Sequence, residues 1–137
     1  MLRIVMTLVL LYLPALAYAG DSCIRIAHNT KTFCQARDIC ARVGSDSCFS
    51  KAYQSLTVEK AADACRGVIS DACFNKARET QSLEKAASLC QGVSSDECFK
   101  TAFNRYYNLE DSTKVCRDFT VTAPAPVADD PCKTNPH

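Results

Sequence analysis

The groups in this chain with the richest side-chain chemistry are ten cysteines, two histidines and a regularly placed set of aspartates. Thiols ligate metals, act as nucleophiles or oxidise to disulfides, and spacing, neighbours and compartment decide among these fates. Cys48, Cys73 and Cys98 lie 25 residues apart, as do Cys40, Cys65 and Cys90, and Cys23 and Cys116 extend the two series outward. The offsets of 8 and 17 residues between the two series match no common zinc spacing. His28 and His137 are too few and too far apart for a His-rich metal site or a nucleophile and base pair. Asp46, Asp71 and Asp96 stand where helices should begin, and the helix dipole accounts for them better than paired-carboxylate catalysis does. The four glycines are isolated, so no Gly-rich phosphate loop is present. These residues predict no catalytic residue, no metal and no cofactor, with the cysteines spent on disulfides.

Compartment decides that last step, and it is read at the N-terminus. Residues 1–19 have the layout of a secretory signal peptide: Arg3, an apolar run from Ile4 to Leu16, and the small-residue cleavage site Ala17-Tyr18-Ala19. The run is too short to span a bilayer comfortably, and no second long apolar run follows. Export, secreted or periplasmic, into an oxidising compartment turns an even number of cysteines into bridges. Arg3 is the only charged residue in this segment, so 15 Lys+Arg and 15 Asp+Glu remain beyond it. That balance gives no general attraction to nucleic acid or anionic lipid.

The elements that carry the cysteines recur with a 25-residue period. Asp21-Ser22-Cys23-Ile24, Asp46-Ser47-Cys48-Phe49, Asp71-Ala72-Cys73-Phe74 and Asp96-Glu97-Cys98-Phe99 open four units, and Glu59-Lys60-Ala61-Ala62 recurs as Glu84-Lys85-Ala86-Ala87. The fourth unit carries one inserted residue. Ser45, Ser70 and Ser95 read as N-caps of a first helix, Thr57 and Ser82 as N-caps of a second, and Gly44, Gly67 and Gly92 as left-handed stops between units. Cys48, Phe49, Ala52 and Leu56 recur at helical spacing, as do Val58, Ala61, Ala62 and Cys65. The predicted fold is all-α, a disulfide-stapled array of four short antiparallel helical hairpins over residues 20–118. The period is shorter than tetratricopeptide or ankyrin lengths, and those motifs are not matched.

Residues facing each other across an antiparallel turn have numbers of constant sum. Cys48 with Cys65 and Ala52 with Ala61 share one sum; Cys73 with Cys90 and Ala77 with Ala86 share another; Cys98 with Cys116 and Ala102 with Ser112 share a third. Small residues one turn from each bridge permit the close approach that disulfides need. The expected pairs are Cys23–Cys40, Cys48–Cys65, Cys73–Cys90 and Cys98–Cys116, leaving Cys34–Cys132. A rival scheme links Cys40 to Cys48, Cys65 to Cys73 and Cys90 to Cys98, and also passes the small-residue test. It strands Cys23 and Cys116 at the ends of the series.

Binding has weaker signals. The position five residues after each first-helix cysteine holds His28, Tyr53, Arg78 and Phe103, all large and all different. In register they form one column of residue types that anchor interfaces. The competing reading is a core-border position that accepts any bulky side chain. Phe99, Phe103, Tyr106 and Tyr107 form a further aromatic stripe, whose spacing fits core or end packing. Residues 119–137 hold four of the five prolines and read as an extended tail, tied back by Cys132. The function expected is non-catalytic binding of another protein or a surface component by an exported scaffold. The alternative is a small secreted effector or enzyme inhibitor that acts through one exposed segment, such as the tail.

Overall fold

The computed structural model describes residues 21–118 and 131–134. The segment read as a signal peptide and most of the Pro-rich tail lie outside the described residues. Nine helices occur among those described: α1 (Asp21–His28), α2 (Phe33–Cys40), α3 (Asp46–Tyr53), α4 (Val58–Ala64), α5 (Asp71–Arg78), α6 (Leu83–Cys90), α7 (Asp96–Tyr106), α8 (Leu109–Cys116) and α9 (Pro131–Thr134). Among the described residues extended pairing is limited to two isolated bridges, Val68 with Gln91 and Val93 with Arg117. No helix among them is long and apolar enough to cross a membrane.

Helices this short are marginal in isolation, so their ends must be fixed locally. The side chains of Thr32, Ser45, Thr57, Ser70, Ser82, Ser95 and Asn108 each accept a hydrogen bond from the backbone N–H three residues on. Thr32 and Gln35 complete a reciprocal capping box. Gly67 and Gly92 turn the chain with φ of 79° and 75°, in the left-handed region that favours glycine. Gly44 is different: its φ lies outside that region, and a Cβ there would meet the Ile69 Cα at 3.0 Å. The third stop expected from the sequence is thus a close-approach glycine. Leu56 also departs from expectation, because α3 ends at Tyr53 and leaves Leu56 exposed beyond it.

Five disulfides link the helices. Cys23–Cys40, Cys48–Cys65, Cys73–Cys90 and Cys98–Cys116 each join the first turn of one helix to the end of the next, with Cα atoms 5.8 Å apart. Cys34–Cys132 joins the start of α2 to α9 across 98 residues. One turn in from the four short bridges, Ala27, Ala36, Ala52, Ala61, Ala77, Ala86, Ala102 and Ser112 are all buried. Their small side chains let the two helix axes approach within disulfide reach. Ser112 is buried without penalty because its hydroxyl donates to the Asn108 carbonyl at 2.6 Å. The remaining core is thin, consisting of Phe49, Phe74 and Phe99 with Val43, Val68 and Val93. A bridge closing about 17 residues contributes roughly 3 kcal/mol through the unfolded chain, so covalent closure compensates for that small core.

Successive pairs are joined by two rows of polar contacts. α1 packs on α3, α3 on α5 and α5 on α7. The carboxylate of Asp46 accepts the Ser22 N–H at 3.2 Å. Asp71 accepts the Ser47 N–H at 3.0 Å and the Ser45 hydroxyl at 2.5 Å. Asp96 accepts the Ala72 N–H at 3.0 Å and the Ser70 hydroxyl at 2.6 Å. Each of these aspartates therefore satisfies an orphan N–H group of the first helix of the preceding pair as well as standing at the positive end of its own. The second row is backbone: Gly67 N–H to Arg42 carbonyl at 2.8 Å, Gly92 to Gly67 at 3.1 Å and Asp118 to Gly92 at 2.7 Å.

Candidate functional site

The four candidate residues occupy one position in each of α1, α3, α5 and α7, but their surroundings differ. His28 ends α1, is exposed, and its ring centroid lies 6.1 Å from that of Phe33. Tyr53 ends α3, is 42% exposed, and stacks on the buried Phe49 at 5.8 Å with the two rings nearly parallel. Arg78 ends α5 half-buried. Its guanidinium donates to the Gln81 carbonyl and so clasps the turn into α6, while its Nε is buried with no partner among the described residues.

Phe103 is half-buried against the core, stacks on Phe99 at 5.7 Å, and carries the Lys76 ammonium 5.2 Å from its ring centroid. It does not end its helix. In the fourth unit α7 runs to 11 residues, against 8 for α1, α3 and α5, because one residue is inserted and the turn to the next helix shortens from four residues (79–82) to two (107–108), which carries the helix past Phe103. Tyr107, with φ of 51° and its N–H on the Phe103 carbonyl at 2.8 Å, closes that extra turn. Of the aromatic stripe in this unit, Phe99 is buried, Phe103 half-buried, and Tyr106 and Tyr107 exposed.

The accessible members are therefore His28 and Tyr53, and the structure adds two exposed residues: Phe33, which the sequence pattern does not single out, and Leu56, which helical spacing places on the core face of the first helix of its unit. Phe33 is 50% exposed at the start of α2, and Leu56 stands in the turn after Tyr53. Both flank the tips of the first two helix pairs. The Lys31 ammonium holds the Glu59 carboxylate at 2.8 Å and ties these tips together. The same contact lowers the Glu59 carboxyl below its ordinary value, the hydrogen bond from Lys31 being the largest cause. The strip of exposed apolar and aromatic residues at the tips of these two pairs comprises His28 against Phe33 in the first and Tyr53 and Leu56 in the second, with the Lys31–Glu59 ion pair as a contact between the two. Comparison with protein-family models, with curated proteins and with solved structures finds no match in any of the three.

Chemistry has little to work with here. All the described cysteines are bridged, so none is a thiolate nucleophile. Among the described residues no three His, Cys, Asp or Glu side chains lie close enough to hold a metal ion. What the strip offers is contact: rigid aromatic surface of the kind that carries binding energy when a partner buries it.

Proposed function

We infer that this chain is an exported, non-catalytic binding protein whose scaffold is a 25-residue array of antiparallel helical hairpins. Five disulfides fit an oxidising compartment, extracellular or periplasmic. The signal-peptide reading of residues 1–19 supplies the route, and the Pro-rich segment is read as a strap that Cys132 returns to Cys34. The observation that carries the reading is a division of labour along each helix pair. The recurring cysteines, alanines and phenylalanines are interior and the recurring Glu59, Lys60, Glu84 and Lys85 form a solvated charged face, while the bulky position that varies in type reaches the surface at His28 and Tyr53. A conserved frame with a variable, aromatic accessible site is the construction of a binding surface. The partner is a protein or surface component with an apolar patch, since the strip presents rings and an aliphatic side chain around a self-satisfied ion pair.

The test uses the oxidised full chain as bait in the fluid from which it is exported, with chemical crosslinking. The expected result is a specific partner captured by the native chain and lost by a His28→Ala, Tyr53→Ala double variant whose circular dichroism is unchanged. Equal capture by the double variant overturns the assignment of this strip. Capture lost only when residues 119–137 are removed, in a Cys34→Ser background, moves the activity to the tail. Turnover of a substrate by the purified chain overturns the non-catalytic reading.

A further inference from the structure

We propose that the two ends of the helix array are complementary to each other, and that a second copy of this chain docks head to tail. The contact would place Asp21 of one molecule on the N-terminus of α7 of the next. The inference uses the chain ends, not the strip of His28 and Tyr53, so it stands or falls separately from the binding function.

The contact already exists three times inside the molecule. Asp46, Asp71 and Asp96 each bond to the opening turn of the first helix of the preceding pair, and two of them also bond to its capping serine. At the far end the corresponding groups are Ser95 and the Glu97 N–H, and no following aspartate among the described residues meets them. Ser95 is exposed, where Ser45 and Ser70 are fully buried. Its hydroxyl accepts from the Cys98 N–H but donates to nothing among the described residues. At the near end Asp21 is exposed and has no partner among the described residues.

The apolar surfaces are open in the same complementary way. A depression of about 410 Å³ lies on the outer side of α7 and α8, lined by Ser95, Cys98, Ala102, Tyr106 and Val115 among others. Val115 is 60% exposed, whereas Ile39, Ala64 and Leu89 at the equivalent positions are half-buried. Cys98 is half-buried, whereas Cys23, Cys48 and Cys73 are fully buried. At the other end Ile24 is half-buried, where Phe49, Phe74 and Phe99 in its place are buried. Each end thus exposes the half of the stacking interface that an adjacent pair covers elsewhere, and the carboxylate of Asp21 is attracted to the dipole of α7.

One residue works against the contact. Glu97 stands where the internal pairs have Ser22, Ser47 and Ala72, and its carboxylate repels an incoming Asp21. The native association is therefore weak and grows with protein concentration. Because a head-to-tail contact is heterologous, it adds copies in series rather than stopping at a closed dimer, unless the rotation closes a ring.

The experiment is sedimentation velocity on the oxidised chain from residue 20 onward, the exported form, across a wide concentration range. Expected are a concentration-dependent series of oligomers, about tenfold or stronger association in Glu97→Ala, and about tenfold weaker association in Asp21→Asn. Val115→Lys should also be monomeric. The decisive arm mixes Asp21→Asn, whose α7 end is intact, with Val115→Lys, whose Asp21 end is intact, at a concentration where the native chain associates and neither variant does alone: the mixture forms a dimer. A native chain and Glu97→Ala variant that both remain monomeric throughout overturn the proposal. Association that ignores Asp21→Asn, or mixed variants that fail to pair, overturn it as well.

Discussion

Replacing Asp71 by Ala removes two hydrogen bonds at once, and the structure allows the cost to be worked out. The carboxylate accepts the Ser45 hydroxyl at 2.5 Å and the Ser47 N–H at 3.0 Å, both in part-buried surroundings. Hydrogen bonds to a charged group contribute about 1.5–3 kcal/mol each, and the Ser45 hydroxyl, fully buried, is left without an acceptor. Since neighbouring losses do not add, the expected destabilisation is about 3 kcal/mol. Asp21→Ala is the internal control: it removes a carboxylate from the same place in its own helix but no bond to a preceding one, so it costs only the dipole term of about 0.5 kcal/mol. Urea unfolding of the oxidised chain, at a concentration where it is monomeric, reads both. With an m-value of roughly 1–2 kcal/mol per M, the Asp71 change lowers the midpoint by about 1.5–3 M and the Asp21 change barely moves it. A Ser45→Ala, Asp71→Ala cycle should show a coupling of about 1–2 kcal/mol. Equal costs for Asp21→Ala and Asp71→Ala would refute the reasoning, since the aspartates would then serve only their own helices.

Other perturbations test separate parts of the frame. Gly67→Ala should cost about 1–2 kcal/mol from its left-handed backbone alone, because the nearest side-chain atom to an added Cβ is a Gln91 Cγ at 3.7 Å. Gly44→Ala should cost through contact with the Ile69 backbone instead, and Ile69→Ala, which leaves that Cα in place, should not rescue it in thermal unfolding. The paired change Cys34→Ser, Cys132→Ser should leave a folded chain and cost less than the roughly 4–5 kcal/mol of an otherwise free loop of its length, because four bridges already shorten the chain it closes. Glu59 titrates low because Lys31 hydrogen-bonds its ionised form. That contribution to stability is present above the ordinary carboxylate range and lost as pH falls through the depressed folded value. NMR titration of Lys31→Ala should show the Glu59 carboxyl moving up toward its ordinary value.

The sequence carried much of this frame because most of its signals are local. Ser45, Ser70 and Ser95 cap helices through their own next turn, and the two cysteines of each bridge face each other with small residues one turn away. A constant-sum rule is enough to relate such positions. What depended on contacts between pairs was hidden. Asp46, Asp71 and Asp96 already had an explanation in the dipole of their own helices, so nothing in the residue types pointed to the helix before. Gly44 looked like Gly67 and Gly92 because glycine serves both a left-handed turn and a close approach, and only the position of Ile69 separates the two. The proposed column His28, Tyr53, Arg78 and Phe103 is level in sequence but not in surroundings. The longer α7 surrounds Phe103 with helix, and Arg78 folds back onto its own turn. Phe33 and Leu56 were legible as apolar residues, but their exposure follows from where α2 starts and α3 stops.

The central claim is that each helix pair carries its own bridge and that aspartates, not disulfides, join one pair to the next. Proteolytic mapping of the oxidised chain under non-reducing conditions tests it most directly. The account predicts peptides linking Cys48 to Cys65 and Cys73 to Cys90, with Cys34 linked to Cys132. A peptide in which Cys65 is bonded to Cys73 would contradict it, because neighbouring pairs would then be covalently joined.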